Sequence, residues 1–223
     1  MTKEERLSLL RLYVLISSNI TSIPVIDAAK LIIEGGADAI QMREKNMDDG
    51  AFLKLAEELR ELTIRAGIVF IVNDRPKIAR EVDADGVHLG QDDVSVRDAR
   101  NILGEDKIIG VSTHRIEQAR RAVLDGVDYI STGPVYSTKT KPHEQEVGLG
   151  YISEVAREIK IPFFAIGSIT VENLDDVFRA GASRVAVCSA IVGARDIAKA
   201  TRAFKTLLLR KGVSKKTLYS SRI

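Results

Sequence analysis

Two hydrophobic periods alternate along this chain. Short, nearly continuous apolar runs fall at 12–16, 37–43, 70–72, 86–89, 107–111, 128–132, 161–166 and 183–188. They are rich in Val, Ile and aromatic residues and too short for helices, so they read as buried strands. Between them lie amphipathic segments at 25–34, 50–66, 76–82, 94–103, 116–125, 149–160, 171–180 and 190–209, which read as helices. Thr2, with Glu5 three residues on, forms a capping-box pattern, so a short leading helix is expected over 2–10. The stretch 133–148 reads as a long loop, and the polar, basic 211–223 as a loosely packed tail.

A recurring phrase marks the units: GGADAIQ at 35–41, DADGVHL at 83–89, DGVDYIS at 125–131 and AGASRVAV at 180–187. Each has a small or acidic residue and then a buried strand, next to a glycine suited to stopping a helix. Strand and helix alternate eight times, at a spacing of roughly 25 residues. Buried parallel strands with crossover helices make either a doubly wound sheet or a closed barrel. Eight units favour a single (β/α)8 TIM barrel preceded by a short N-terminal helix, with the active site at the C-terminal ends of the strands.

Composition narrows the classes. The 223 residues suit one domain of barrel size, and no linker-like stretch divides them. Lys and Arg total 33 against 31 Asp and Glu, a net charge of +2 that argues for neither nucleic acid nor membrane as partner. The N-terminus lacks a signal-peptide layout and no apolar span is long enough to cross a bilayer, so a cytoplasmic location is expected. The single cysteine, Cys188, forbids an internal disulfide and reads as a buried strand residue rather than a nucleophile. A homo-oligomer is compatible with the sequence but not indicated by it.

The strand ends carry the candidate chemistry. Phe70 to Asp93 reads as one βαβ unit with a carboxylate just past each strand, Asp74 and Asp93. Parallel strands joined by a helix bring these ends side by side. Two hard oxygen ligands with room for water and phosphate suit Mg²⁺; the alternative is a pair of loop or cap aspartates. Alternation along the second strand puts Gln41 and Arg43 on the face opposite Ile40 and Met42. Arg43 and Lys45 arriving together suit a phosphate, the alternative being a salt bridge from Arg43 to an acid such as Asp74. Ser112 follows the fifth strand. Ser137, Thr138, Lys139, Thr140 and Lys141 follow the sixth and suit either an anion-binding or a solvated loop. Gly167 and Ser168, and Cys188 and Ser189, follow the last two strands, where barrels often bind phosphate. Two anion pockets imply two substrates, one of them a diphosphate.

Taken in order, QMREK at 41–45, VND at 72–74, GVHLGQDD at 86–93, GVS at 110–112, GPVYSTKTK at 133–141 and AIGSIT at 165–170 resemble the thiamine phosphate synthases over nearly the whole chain. The resemblance implies a transferase that joins 4-amino-5-hydroxymethyl-2-methylpyrimidine diphosphate to a thiazole phosphate, releasing pyrophosphate. It implies that Gln41, Met42, Arg43, Glu44, Lys45, Asn73, Ser112 and Lys141 hold the pyrimidine diphosphate. Arg43, Lys45, Ser112 and Lys141 would then act on the leaving group. It implies Mg²⁺ on Asp74 and Asp93, and thiazole phosphate beside Thr138, Lys139, Thr140, Gly167, Ser168, Cys188 and Ser189. One departure stands out: the family usually has two glycines where this chain has Gly167-Ser168. The rival readings are a thiazole tautomerase-like isomerase, which has no use for the aspartate pair, and a non-catalytic regulator binding the same phosphates.

Overall fold

A computed structural model describes residues 1–137 and 145–217. Eight strands close into one barrel: β1 (Leu12–Ile16), β2 (Ala39–Met42), β3 (Val69–Asn73), β4 (Gly86–Leu89), β5 (Ile108–Thr113), β6 (Tyr129–Thr132), β7 (Phe163–Ala165) and β8 (Val185–Val187). Every neighbouring pair is parallel, and β8 returns to β1 with Leu12 opposite Val185. The expected barrel is therefore present, each strand shifted by at most a few residues.

Helix α1 (Lys3–Leu9) precedes β1, and its Thr2–Glu5 capping box is formed as the pattern predicted. The strands are linked by α2 (Val25–Glu34), α3 (Asp49–Ala66), α4 (Pro76–Glu81), α5 (Val96–Leu103), α6 (Ile116–Leu124), α7 (Gly148–Glu158) and α8 (Leu174–Arg179). The single helix expected over 190–209 is two: α9 (Ser189–Val192) and α10 (Ile197–Thr217). The physical reason lies between them. Gly193 ends the first, and the Asp196 carboxylate accepts the Lys199 N–H at 2.9 Å, capping a fresh helix start. Helix α10 runs through Thr217, so part of the expected tail is helical backbone.

Alternation along the strands sorts the core into two layers. Val14, Ile16, Ile40, Met42, Phe70, Val72, Val87 and Ile109 face outward onto the helices. Tyr13, Leu15, Ala39, Ile71, Tyr129, Phe164 and Ala186 fill the interior, and Leu7 and Leu10 close its lower end. The leading helix is thus a plug.

The recurring acidic residue has a structural cause. Asp38 accepts the backbone N–H groups of Arg11 and Leu12, both at 2.9 Å. Asp85 accepts Phe70 N–H at 2.8 Å and Asp128 accepts Ile109 N–H at 2.7 Å. Each carboxylate clips the start of a neighbouring strand and is held by cations: Lys205 on Asp38, Arg6 and Arg60 on Asp85, Lys3 and Arg100 on Asp128. A charged acceptor makes a stronger hydrogen bond than a neutral one, so the clips fix the barrel's lower rim. In the fourth phrase Arg184 takes that place.

Candidate active site

The upper ends of the strands surround an open cavity. Its lining includes Gln41, Arg43, Lys45, Asn73, Asp74, Ser112, Gly167, Ser168, Cys188 and Ser189, so the structure brings together most of the residues expected there. Thr138, Lys139, Thr140 and Lys141 lie outside the described residues.

Strand alternation decides the fate of the QMREK run. Gln41 points inward and is almost completely buried, while Met42 is fully buried in the outer layer among the helices. The Met42 side chain therefore takes no part in lining the mouth. Glu44 does not line the cavity either. It is buried, and its carboxylate accepts the Ser18 N–H at 2.5 Å and the Ser18 hydroxyl at 2.8 Å, tying the loop after β2 to the end of β1. Arg75 clamps the same loop from the other side. It donates to the Met47 carbonyl at 2.6 Å and stacks 4.1 Å from the Phe52 ring centroid. Between these two ties Arg43 and Lys45 are carried into the cavity.

The Arg43 guanidinium makes no ion pair or hydrogen bond with any described residue, so the alternative salt bridge to Asp74 is not formed. Lys45 takes that role, its Nζ 2.8 Å from Asp74 Oδ2. Asp74 is positioned by its own N–H, which donates to the His88 carbonyl at 2.9 Å, and it adopts a left-handed φ of 62°. Asp93 turns back at the end of β4, accepting the Gly90 N–H at 2.6 Å. The two carboxylates meet as the βαβ reading required. Burial, then the hydrogen bond and charge of Asp93, push the Asp74 carboxyl above its usual range, and Lys45 opposes them. Crowded carboxylates of this kind fit a hard divalent cation, with water and ligand oxygens completing the shell.

On the opposite side, the turn after β7 holds Gly167 at φ 110° and Ser168 at φ 48°. A Cβ on Gly167 would lie 2.4 Å from Pro134 Cα, so only glycine fits there. The Ser168 hydroxyl donates to the Ser137 carbonyl at 2.7 Å, while Glu146 accepts the Ser137 N–H at 3.0 Å. The serine that departs from the family pattern thus spends its proton inside the protein. Cys188 also lines the cavity, and burial pushes its thiol up to about 11, which suits packing rather than nucleophilic attack.

The cavity floor carries polar groups that the sequence pattern does not mark. Tyr13, His88 and Ser131 line it, and His88 bridges Tyr129 and Ser112, with both contacts at 2.9 Å. One signal was available. Gly110 sits opposite Tyr129, and a Cβ there would fall 2.0 Å from the Tyr129 ring, so the glycine of GVS makes room for a phenol inside the barrel.

Comparison with known proteins agrees with this geometry. Residues 12–191 match the family model described as thiamine monophosphate synthase. A thiamine-phosphate synthase of Halalkalibacterium halodurans is 46% identical over 182 residues, covering 81% of this chain and 86% of that protein. One from Nostoc sp. is 44% identical over 186 residues, covering 83% of this chain and 52% of that longer protein. The solved structure of thiamine phosphate pyrophosphorylase from Pyrococcus furiosus superposes with a TM-score of 0.84 at 35% identity, covering 90% of this chain and 96% of that one. Agreement of this extent, in sequence and in fold at once, shows that the chain belongs to the thiamine phosphate synthase family of transferases.

Proposed function

We propose that this chain joins 4-amino-5-hydroxymethyl-2-methylpyrimidine diphosphate to a thiazole phosphate, forming thiamine phosphate and pyrophosphate. The observation that carries the reading is the split character of one mouth. Arg43, whose guanidinium has no ion pair or hydrogen bond among the described residues, stands on one side with Lys45 and Asp74, Asp93 lying against Asp74 just outside the cavity lining, and the glycine-bearing turn at Gly167 stands on the other.

The reaction needs little from the protein beyond charge and placement. The bond from the pyrimidine methylene carbon to the diphosphate oxygen breaks, the electron pair leaving with the diphosphate. The thiazole nitrogen then supplies the pair for the new carbon–nitrogen bond. Arg43, Lys45 and the Ser112 hydroxyl can donate to the leaving oxygens as their charge grows, which is where preorganised donors lower a barrier most. Asp74 and Asp93 would hold Mg²⁺, which when bound supplies Lewis-acid neutralisation of the diphosphate. Gln41 Oε1 is buried with no partner among the described residues and can accept a hydrogen from the pyrimidine amino group. The backbone turns at Gly167-Ser168 and Cys188-Ser189 would hold the thiazole phosphate opposite, setting the two reacting atoms in contact. Thr138, Lys139, Thr140 and Lys141 belong to the same reading as ligand contacts.

The test is pyrophosphate release with Mg²⁺ present and each substrate omitted in turn. Release that requires both substrates is expected. Isomerisation of the thiazole without release would favour the tautomerase, and binding of both without turnover would favour a regulator.

A further inference from the structure

Beneath the cavity, a chain of buried polar side chains runs across the barrel interior. Gln41 Nε2 donates to the Tyr13 hydroxyl at 2.5 Å. The Tyr13 and Tyr129 hydroxyls are 3.1 Å apart, and the Tyr129 hydroxyl is 2.9 Å from His88 Nδ1. His88 Nε2 is 2.9 Å from Ser112 Oγ, to which Ser131 also donates at 3.4 Å. Burial pushes both phenols well above the usual tyrosine range, so both keep their protons.

Proton counting from the Gln41 end gives this network a direction. Each phenol has one proton, and a neutral imidazole has one donor and one acceptor. Gln41 Nε2 donates to the Tyr13 oxygen, so the Tyr13 proton is left for Tyr129 and the Tyr129 proton for His88 Nδ1. The Gln41 carbonyl oxygen is thereby turned away from Tyr13, and it is buried with no partner among the described residues. At the other end His88 Nε2 lies 2.9 Å from the Ser112 hydroxyl and 3.4 Å from that of Ser131.

We infer that Tyr129, acting through Tyr13, sets the orientation of the Gln41 amide and so makes the cavity select a ring bearing an exocyclic amino donor over one bearing a carbonyl. Tyr129 and Tyr13 are positioning residues here. The inference rests on the functional reading above, in which Gln41 meets the pyrimidine. Removing the Tyr129 hydroxyl leaves Tyr13 with a proton and one remaining acceptor, Gln41 Oε1. The amide then turns over and presents its NH₂ to the cavity, where it opposes an amino group and welcomes a carbonyl. No residue that would touch the substrate has been altered.

The experiment is calorimetric binding of the 4-amino pyrimidine diphosphate and its 4-oxo analogue to wild type, Tyr129→Phe and Tyr13→Phe. The wild type is expected to prefer the amino ligand. In Tyr129→Phe that preference should fall by about tenfold or more, the scale of one hydrogen bond made and one opposed. The fall should come from weaker amino and tighter oxo binding together. Phenylalanine keeps the edge contacts with Tyr13 and Phe164. If Tyr129→Phe nevertheless fails to fold, Tyr13→Phe cuts the chain one link nearer and should also erode the preference. A purely structural role would weaken both ligands equally, and an unchanged ratio in the folded variants overturns the inference while leaving the functional reading intact. A wild type that binds neither ligand overturns both.

Discussion

Asp85 and Asp83 lie two residues apart and share one cation, yet the structure assigns them different weights. The Asp85 side chain is 4% exposed and the Asp83 side chain 77%. Asp85 accepts Phe70 N–H at 2.8 Å, pairs with Arg60 at 3.1 Å and meets Arg6 at 2.8 Å. Asp85→Ala would leave the Phe70 N–H buried without an acceptor, costing about 1–3 kcal/mol. It would also strand the largely buried Arg60, and breaking such a pair costs about 3–5 kcal/mol in the fully buried limit. Arg6 is partly exposed and can turn to water, and Arg60 keeps a 3.7 Å contact with Asp83, so the terms do not simply add. A total loss of about 3–5 kcal/mol is expected. Asp83→Asn keeps a residue tolerant of the left-handed φ of 52° and removes pairs whose carboxylate is open to solvent, so about 1 kcal/mol or less is expected. Urea unfolding of the two variants beside wild type measures both, provided each shows a single transition of unchanged slope. Equal losses, or an Asp85→Ala loss below about 1 kcal/mol, would refute the strand-clip reasoning.

Arg43→Ala should leave stability nearly unchanged, since its guanidinium touches no described partner, but lower kcat by on the order of 10²–10³; equal kcat in steady-state assays would remove it from the leaving-group site. Asp74 has its folded pKa raised, so in the metal-free protein its protonated form stabilises the fold below the ordinary aspartate value. That contribution is lost as pH rises through the raised value. Mg²⁺ competes with this proton, so thermal stabilisation by Mg²⁺ and pyrophosphate should weaken as pH falls through that window, and Asp74→Asn should abolish both the stabilisation and its pH dependence. Ser168→Gly loses a hydrogen bond to Ser137 but relieves a left-handed serine, terms of about 1 kcal/mol each. The KM for thiazole phosphate should move by less than about threefold, whereas a tenfold rise would mean that the hydroxyl contacts the ligand.

The barrel was legible because buried strands and amphipathic helices have different periods, and eight alternations leave few closures. The aspartate pair was legible because a βαβ unit places its two strand ends together whatever the loops do. Met42 and Glu44 show where a motif misleads. Five consecutive residues cannot all face one cavity when the first two lie on a strand, and a carboxylate beside two cations can equally serve a neighbouring loop. The Tyr13–Tyr129–His88 chain was hidden for a different reason. Inward phenols read as ordinary core, and their bonding depends on register between strands far apart in sequence, which periodicity does not encode. The break between α9 and α10 turned on one glycine and one capping aspartate, signals too small to interrupt an otherwise helical pattern.

The central claim is tested most directly by following thiamine phosphate and pyrophosphate in one tube containing both substrates and Mg²⁺, with wild type, Asp74→Ala and Asp93→Ala. Wild type should form the two products in equal amounts, and each aspartate variant should be slower by about 10³, the rate equivalent of ~4 kcal/mol. Pyrophosphate without thiamine phosphate, or full activity in either variant or in excess chelator, would contradict the account.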